Sequence, residues 1–494
     1  MAALATLPGV ILDRTEISRI LGVEVYPGVD SVCGVTHDSR VVEPGFAFVA
    51  IPGFKHDGTA FAAEALNKGA SLVVAERPVP DAPTAVVPDA RSALAALARG
   101  VFGDPSSKME VYGVTGTNGK TTTSYVLHSV LAGACGVRTC GLMSTAETIV
   151  AGERRPSVRT TPEATEVQST LAEMLRAGVR RVVMEVSSHG VALRRVTGTH
   201  FAGALFTNLT RDHLDLHGSM EEYFAAKREL FHWTGGPKLA NVEDPWGRRL
   251  ASEVDGVLTF GGTPDADYRV EGVEAAGGGT QFLLRHPGGV LDLQSPLLGP
   301  YNVLNVAGAA GLALATGIRP EAIARAVREM GQVPGRFERV VAAAERGFEV
   351  IVDYAHTDVG LEAVLKVARG VAEGRVLCVY GAAGDRDGAK RPEMGRVASR
   401  FADRGIVTTD DAYTEDPGKI AAEVAAGADP ARTEVELDRR TAIRDALLAA
   451  RSGDVVVVAG KGHETVQHLP WGDVPFHDAT VVEELLAEMG PNGR

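Results

Sequence analysis

A glycine-rich segment with a single lysine carries the clearest chemical signal in the sequence. Residues 113–123 are Gly-Val-Thr-Gly-Thr-Asn-Gly-Lys-Thr-Thr-Thr. An apolar run before them predicts a buried strand, and apolar residues at helical spacing follow. In such an order of elements, loop N–H groups and the positive end of the helix face phosphate oxygens. We therefore predict that Lys120 binds the β- and γ-phosphates of ATP and that the Thr121 hydroxyl faces Mg²⁺.

The spacing of this segment departs from the usual phosphate loop. The common pattern is G-x-x-x-x-G-K-[ST]. Here Gly113 is one residue too far from Gly119, and Val114 stands where the glycine is expected. An ordinary glycine-rich turn between a strand and a helix is the alternative interpretation. The strand before the loop and the helix after it favour the phosphate loop.

Composition limits the class of protein. The chain has 494 residues, which predicts two or three domains, and its 45% hydrophobic and 23% charged content is typical of a soluble globular protein. A net charge of −13 argues against nucleic-acid binding but allows an anionic substrate in a local basic pocket. The four cysteines form no C-x-x-C pair, so we expect reduced thiols. We find no leader-like or membrane-spanning segment, and we expect a cytoplasmic protein without membrane insertion.

Polar clusters follow several predicted strands of the middle region. Glu185 ends one strand, and His213 follows the next. Open α/β sheets bind ligands at the carboxyl ends of their strands, so these two residues are candidate Mg²⁺ ligands at neighbouring strand ends. A hydrogen-bonded structural histidine is the alternative for His213. Lys227, taken alone, resembles a surface lysine.

Other polar residues allow two interpretations each. Asn302 and Asn305 share one face of a predicted helix and would either bind a base or cap the helix. Thr161 is predicted to cap a helix whose first position is Pro162. Asp38, Ser39 and Arg40 form a loop that would hold an anionic ligand or simply be a solvated turn.

The last third of the sequence alternates strands and helices, which predicts a Rossmann-like parallel sheet. Glycines at 381 and 384 are too few for a dinucleotide fingerprint, so NAD is not predicted. A phosphate loop and titratable strand ends indicate ATP-driven chemistry. These residues alone do not distinguish a ligase from a kinase or an ATPase. A non-catalytic ATP-gated binding module is a further alternative.

Taken together, the motifs resemble the Mur ligase family, and within it the MurE type that acts on UDP-N-acetylmuramoyl-L-alanyl-D-glutamate. The resemblance covers nearly the whole chain. Its motifs lie at residues 38–40, 115–121, 160–162, 185–189, 207–215, 223–227, 302–305, 334–336, 353–357, 384–387 and 460–464. The Thr-Gly-Thr-Asn-Gly-Lys-Thr loop is this family's own form, which explains the unusual spacing.

The resemblance implies an α/β protein of three domains. These are an N-terminal UDP-sugar-binding domain (1–108), a central ATP-binding domain with a P-loop ATPase-like parallel sheet (109–334) and a C-terminal Rossmann-like domain for the amino acid (335–494). It implies ATP and Mg²⁺ as cofactors, small-molecule substrates and a monomer. A folylpolyglutamate synthase-like ligase is a rival within the superfamily, and the Asp38–Arg40 loop argues against it.

The resemblance also implies roles for individual residues. Those expected to bind ATP are Gly116, Thr117, Asn118, Gly119, Lys120, Thr121, Thr122, Asn302, Asn305 and Arg336. Thr121 and Glu185 are expected to support one Mg²⁺ ion, and His213 and a carbamylated Lys227 (N6-carboxylysine) are expected to support another. Those expected to hold the muramoyl-dipeptide are Ser39, Thr160, Thr161, Ser187 and Arg195. Lys120, Lys227, His213, Asp353 and His356 are the predicted catalytic residues.

The implied reaction passes through an acyl phosphate, and its acceptor depends on one motif. Family members that add meso-diaminopimelate carry Asp-Asn-Pro-Arg, whose arginine grips the distal carboxylate. Here residues 410–413 are Asp-Asp-Ala-Tyr. This acidic sequence predicts L-lysine or L-ornithine as acceptor, with meso-diaminopimelate as the alternative and Asp411 as a possible helix cap. The predicted amino-acid-binding residues are Arg386, Asp410, Asp411, Gly460 and Glu464.

Two smaller departures from the family pattern accompany this one. Leu193 stands where many members have glutamine, and Asp358 stands where they have proline. The first removes one polar substrate contact, and the second predicts a local change of the loop.

Overall fold

The computed structural model describes residues 10–53, 56–276, 278–386 and 388–490. The chain divides into two compact units. The first comprises the residues up to Glu274, with Gln281–Gln294 and Tyr301–Met330, and the second comprises Ala275–Thr280, Ser295–Pro300 and the residues from Gly331 onward. Both units mix helices with largely parallel sheets, which confirms the predicted α/β class. The predicted domain boundaries after residues 108 and 334 stay predictions.

The N-terminal part of the first unit is built on four parallel strands in the order β3-β4-β5-β6. Helix α3 carries small apolar residues on its buried face and packs on the core beneath this sheet. The elements are β1 Leu12–Asp13, α1 Arg14–Leu21, β2 Ser31–Val32, β3 Gly34–Thr36, β4 Phe46–Val49, α2 Ala62–Asn67, β5 Leu72–Ala75, β6 Thr84–Val86 and α3 Ala90–Val101.

The central part carries an eleven-stranded sheet within the described residues, in the order β10-β9-β8-β11-β7-β12-β13-β14-β15-β16-β17. Its strands are β7 Glu110–Thr115, β8 Cys140–Met143, β9 Glu147–Val150, β10 Glu153–Pro156, β11 Arg181–Glu185, β12 Phe201–Phe206, β13 Lys238–Asn241, β14 Val257–Gly261, β15 Tyr268–Ala276, β16 Gly279–His286 and β17 Gly289–Ser295. The strand before the predicted phosphate loop is β7, which pairs in parallel with β11 on one side and β12 on the other.

Helices connect and cover this sheet. They are α4 Lys120–Cys135, α5 Ala164–Arg176, α6 Ser188–Ala192, α7 Leu214–His217, α8 Met220–Trp233, α9 Pro245–Glu253, α10 Pro300–Ala315 and α11 Pro320–Glu329. Helix α4 is buried around most of its circumference, as its apolar and small residues predict. Small residues in α10 permit close packing: a methyl group on Gly308 would lie 2.8 Å from the Phe260 ring.

The C-terminal part has six strands in the order β18-β19-β23-β20-β21-β22, parallel except for the edge strand β18. The elements are β18 Glu338–Arg339, β19 Glu349–Asp353, α12 Asp358–Val371, β20 Val376–Tyr380, α13 Lys390–Phe401, β21 Arg404–Val407, α14 Pro417–Ala425, β22 Thr433–Val435, α15 Arg439–Ala449, β23 Val455–Ala459, β24 Val466–Leu469, β25 Gly472–Pro475 and α16 Asp478–Glu488. The Rossmann-like alternation predicted from sequence is confirmed.

Two further predictions concern the thiols and the membrane. All four cysteines are free, and Cys140 and Cys378 are buried, where burial raises the pKa of the Cys140 thiol to about 11. In the described part of the chain, no helix combines the length and the apolarity that crossing a bilayer requires.

Candidate active site

The predicted phosphate loop occupies residues 116–119, between the end of β7 and the start of α4. Gly116 and Gly119 both have positive φ, +149° and +82°, which side chains other than glycine rarely adopt. The Lys120 ammonium donates to the carbonyl oxygens of Gly116 (3.0 Å) and Thr117 (2.9 Å). It therefore bridges the mouth of the loop, where it would meet phosphate oxygens.

The segment after β12 braces this loop from the side. Thr117 N–H donates to the Asn208 carbonyl at 2.8 Å, and Asn118 N–H donates to the Asn208 side chain at 3.0 Å. The Thr207 hydroxyl donates to the Asn118 carbonyl at 2.6 Å. Because these bonds hold the backbone in place, the loop is preorganised for an anion.

Glu185 is fully buried at the end of β11, beside the start of α4. The Thr121 hydroxyl donates to its Oε2 at 3.2 Å, so the structure brings these two predicted metal-site residues together. Thr145 approaches the same carboxylate twice, with its N–H at 2.8 Å from Oε1 and its hydroxyl at 2.9 Å from Oε2. Thr145 is not among the residues predicted from sequence, although it lies just after strand β8 and Glu185 ends strand β11.

Lys227 is buried, which contradicts its interpretation as a surface lysine. Its Nζ donates to the Gly116 carbonyl at 2.8 Å and lies 4.6 Å from the centre of the Tyr223 ring. Burial, reinforced by the nearby charge of Lys120, holds the pKa of Lys227 well below its usual value. A neutral amine is the form that reacts with CO₂, and the carbamylation of Lys227 stays a prediction.

His213 and Glu185 follow strands that are not adjacent, so the expectation of neighbouring strand ends is wrong. Strand β7 lies between β11 and β12 and places the phosphate loop between the two residues. His213 has φ +53°, and its ring lies 4.6 Å from that of His189 and 3.5 Å (Nε2) from Asp212 Oδ2. Two predicted ligands thus flank the loop from opposite sides.

The two predicted adenine contacts lie on α10, against the loop. Asn305 Nδ2 donates to Asn302 Oδ1 at 3.0 Å, and the Thr123 hydroxyl donates to Asn305 Oδ1 at 3.2 Å. A methyl group on Gly119 would lie 2.4 Å from Asn305 Oδ1. Both asparagine side chains are buried, and Asn305 packs on the loop. Thr122 is buried at the start of α4.

The prediction that Thr161 caps a helix is wrong. Helix α5 begins at Ala164, with Glu163 at its N-cap, so Pro162 lies outside the helix as well. The Thr161 hydroxyl donates to the Glu185 carbonyl at 2.9 Å and accepts from Ser187 N–H at 2.9 Å. These two bonds join the segment before α5 to the end of β11, and they satisfy a carbonyl and an N–H group of the backbone there.

The other residues predicted to hold the muramoyl-dipeptide lie in two separate regions, one around Glu185 and one in the N-terminal sheet region. Thr160 lies 3.1 Å from Thr145, and Arg195 donates to the Thr161 carbonyl at 3.1 Å, so both join the Glu185 region. The Ser187 hydroxyl accepts from Gly190 N–H and caps α6. Ser39 lies instead in the N-terminal sheet region, where its hydroxyl donates to Glu64 Oε2 at 2.8 Å.

In the second unit, Asp353 is buried at the end of β19. Its carboxylate accepts from Phe337 N–H at 2.6 Å and Ala355 N–H at 2.8 Å. Burial raises the pKa of Asp353 to about 6, although Arg336 opposes the shift. Arg336 lies 4.4 Å from the centre of the Tyr354 ring, and the His356 ring contacts the same tyrosine.

The predicted acidic pocket contains a buried cation, Lys461, that was not among the residues predicted from sequence. Carboxylate oxygens of Asp410, Asp411 and Glu464 lie within 4.8 Å of one another. Lys461 is fully buried between them, with its Nζ 2.8 Å from Asp411 and 3.0 Å from Glu464. Burial works against this charge, but the three carboxylates outweigh it and raise the pKa of Lys461.

A stacked layer borders the acidic cluster. The Tyr413 ring stacks on His468, with centres 5.3 Å apart, and Arg386 lies 5.4 Å from the centre of the Tyr413 ring. Asp411 accepts from Lys461 and from His468 N–H, while Asp416 caps the next helix, so Asp411 is not a helix cap. Gly460 has φ +120°, and a methyl group there would lie 2.3 Å from Asp410 Oδ2. Asp387, in the predicted 384–387 motif, lies outside the described residues.

Models of known protein families match three stretches of the chain. Residues 31–102 match the model described as Mur ligase family, catalytic domain; residues 114–313 match the Mur ligase middle domain; and residues 335–462 match the Mur ligase, glutamate ligase domain. The chain belongs to the Mur ligase family. It is accordingly an ATP-dependent, amide-bond-forming ligase that acts on small molecules, as the motifs predicted.

Curated Mur ligases match the chain over nearly its full length. The UDP-N-acetylmuramoyl-L-alanyl-D-glutamate–2,6-diaminopimelate ligase of Solibacter usitatus is 43% identical over 98% of both chains. That of Gloeobacter violaceus is 42% identical over 94% of this chain and 96% of its own. A solved structure of a ligase with the same name is 30% identical, with a TM-score of 0.67 over 96% of this chain and 98% of the other. These matches confirm the MurE-type resemblance.

A more distant structural match extends the likeness to the fold alone. The Mur ligase MurF from Acinetobacter baumannii is 19% identical, with a TM-score of 0.66 over 97% of this chain and all of the other. The predicted three-domain α/β architecture is thus that of solved Mur ligases.

Proposed function

We propose that this Mur ligase joins 2,6-diaminopimelate to the D-glutamate of UDP-N-acetylmuramoyl-L-alanyl-D-glutamate. The observation that carries the proposal is the shared name of relatives that are 40–43% identical over 94–98% of the chain. These names favour diaminopimelate over the basic amino acids that the motif at 410–413 predicts.

The preorganised loop supports a reaction in two steps. An oxygen of the glutamate γ-carboxylate attacks the γ-phosphorus of ATP, the P–O bond to ADP breaks, and an acyl phosphate forms. The acceptor amine then attacks the acyl carbon, inorganic phosphate leaves with the C–O electron pair, and the amine releases a proton. Lys120, held over the loop carbonyls at 2.9 and 3.0 Å, offsets the repulsion between the two anions.

The residues around Glu185 fit a Mg²⁺ ion chemically. Glu185 and Thr121 offer oxygen atoms, which Mg²⁺ prefers, and the ion would lower the charge of the phosphates when bound. Thr145 orients Glu185 through two hydrogen bonds. A carbamylated Lys227, which would offer a carboxylate-like oxygen, and His213 would support a second Mg²⁺ ion. The residues expected to bind ATP, dipeptide and amino acid keep those roles as predictions, and we propose a monomer.

A second acceptor class has a specific observation in its favour. Tyr413 stands where diaminopimelate-adding members have the arginine that grips the distal carboxylate, and Asp411 adds a negative charge nearby. Both features favour L-lysine or L-ornithine. Lys461 weakens that argument, because its ammonium already neutralises part of the acidic cluster. Arg386, next to the Tyr413 ring, offers a guanidinium for a carboxylate.

The test is phosphate release from ATP and the muramoyl-dipeptide with each acceptor in turn. Faster turnover with meso-diaminopimelate than with L-lysine or L-ornithine would support the main proposal. We expect Y413R to raise the preference for diaminopimelate further, while Y413F, which adds no charge, serves as the matched control. A preference for lysine or ornithine would establish the second class, and no release with any acceptor would refute the ligation.

A further inference from the structure

Two loops follow adjacent strands of the C-terminal sheet and carry residues that border the acidic cluster. Strands β20 and β21 pair in parallel, so residues 381–386 after β20 and residues 408–416 after β21 leave the sheet at the same edge. Arg386 lies on the first loop and Tyr413 on the second, with the guanidinium 5.4 Å from the centre of the ring. Because both loops lie beyond the ends of their strands, the sheet alone does not set the distance between them.

Hydrogen bonds join the two loops to each other. Gly384 N–H donates to the Asp411 carbonyl at 2.7 Å. The Thr414 hydroxyl donates to Asp385 Oδ1 at 2.8 Å, and Asp385 N–H donates to Glu415 Oε1 at 2.6 Å. These three bonds hold one loop against the other directly beside Arg386.

A buried arginine supports this junction. Arg391 lies in the first turn of α13, and its side chain is 4% exposed. Its Nη1 and Nη2 donate to the two carboxylate oxygens of Glu415 at 3.0 and 2.9 Å. Nη1 also donates to Glu423 on α14 at 2.7 Å, and Nη2 donates to the Ala383 carbonyl at 3.3 Å. One guanidinium thus contacts both loops and the helix that follows the second loop.

The pair of Arg391 and Glu415 fixes orientation as well as distance. Hydrogen bonds from Arg391, together with the N–H of Asp385, lower the pKa of Glu415 to about 2, so this carboxylate is ionised at neutral pH. Two parallel bonds from a planar guanidinium define the angle between the partners, which a lysine ammonium does not. The bonds described above for Arg391 go to Glu415, Glu423 and Ala383, none of which is among the residues expected to bind the acceptor.

We propose that Arg391 is a positioning residue for the acceptor amino acid, and that it acts through Glu415 on the spacing of the two loops. That spacing sets the distance between Arg386 and Tyr413. The inference rests on the proposed function, in which these loops bind the acceptor. A displacement of about 1 Å at a site can cost about 10²-fold in rate, so a residue that fixes the loops controls acceptor use without touching the acceptor.

The experiment measures phosphate release while each substrate is varied in turn at saturating concentrations of the other two. The acceptor is the one among meso-diaminopimelate, L-lysine and L-ornithine that the wild-type enzyme turns over fastest. We expect R391Q to raise the KM for this acceptor about tenfold or more. The KM values for ATP and the muramoyl-dipeptide should change less than about twofold, because the phosphate loop belongs to the first unit.

Two milder variants test the same pair with less disturbance of the fold. R391K keeps the charge but loses the two-point geometry, so its acceptor KM should lie between those of the wild type and R391Q. E415Q keeps the shape of a side chain that is 28% exposed, and it should raise the acceptor KM about threefold.

A double variant separates positioning from general structural damage. R386Q removes a residue that is itself expected to bind the acceptor. If Arg391 acts by placing Arg386, adding R391Q to R386Q should raise the acceptor KM by a much smaller factor than R391Q does alone. Equal factors in the two backgrounds would overturn the proposal, because they would show that the two residues act independently.

The matched control is R396Q. Arg396 lies on the same helix, is 57% exposed and pairs with Glu393, so all three KM values should match those of the wild type. An unchanged acceptor KM in both R391Q and E415Q, or a parallel rise of all three KM values, would overturn the positioning role and leave the ligase intact. If the wild-type enzyme releases no phosphate with any acceptor, the proposed function is refuted and the positioning role with it.

Discussion

Removing the buried cation of the acidic cluster is the sharpest perturbation that the C-terminal part offers. Lys461→Met deletes an ammonium that is fully buried and lies 2.8 Å from Asp411 and 3.0 Å from Glu464. Breaking a buried pair by removing one partner costs about 3–5 kcal/mol, because the other charge is left uncompensated. We expect a loss of this size in the free energy of local unfolding at pH 8.

The loss should shrink as the pH falls. Burial already raises the pKa of Glu464, and without Lys461 that pKa moves further up. A carboxyl whose folded pKa exceeds its unfolded value favours the folded state when protonated, and this stability is lost as the pH rises through the folded pKa. Lys461→Met should therefore be much less damaging at pH 5 than at pH 8.

Hydrogen–deuterium exchange measures this effect locally, since a chain of this size need not unfold in one step. Peptides covering β23, compared with wild type at the same pH, should exchange about 10² to 5 × 10³ times faster at pH 8. Lys366→Met, which removes an exposed lysine from its pair with Glu362, is the control and should change exchange little. A loss below about 1 kcal/mol, or an equal loss at both pH values, would refute the reasoning.

Three further outcomes are expected. Thr145→Val should weaken Mn²⁺ binding by about tenfold, measured by electron paramagnetic resonance, because the hydroxyl bond that orients Glu185 is lost. Thr145→Ser keeps a hydroxyl and should bind Mn²⁺ as the wild type does. Equal Mn²⁺ affinities of the two variants would contradict this role of Thr145. Burial raises the pKa of Asp353 to about 6 in the folded state, so the hydrogen-exchange protection of β19 should fall as the pH rises from 4 to 7. D353N should abolish that dependence. Gly116→Ala should reduce ATP affinity in titration calorimetry at least tenfold, because its methyl group would lie 1.9 Å from the Thr207 hydroxyl; normal affinity would show that the loop relaxes.

The phosphate loop was predictable because its signal is local. The strand, the glycine-rich loop with its lysine, and the helix are consecutive in the chain. The residues of each element predict that element without reference to distant parts of the sequence. The Rossmann-like alternation after residue 335 was predictable for the same reason. Strands β15–β17 were not predicted, although β17 alternates exposed and buried residues with the period of a strand.

The predictions that were wrong or missing concern contacts between residues and strands that are far apart in the sequence. The sequence places β11 and β12 in succession, but the sheet inserts β7 between them, and spatial order is not contained in chain order. Lys461 lies in a glycine-rich stretch that resembles a solvated loop, and its partner Asp411 is 50 residues away. Thr161 has the residue type of a cap, yet its hydroxyl bonds to a strand 24 residues away. Tertiary pairing overrode local preference in each case.

The central place of β7 has a consequence for how the protein is made. Val114 pairs with Glu185 on one side and with Leu205 on the other, so the strand that carries the loop gains its first neighbour after roughly seventy further residues and its second after roughly ninety. Until the second strand is synthesised, at least one edge of β7 stays uncovered on the nascent chain. Parallel pairing over such separations is slow and exposes the chain to aggregation. We therefore expect nucleotide-binding competence to appear late on the ribosome, and chaperones to be most important in that interval.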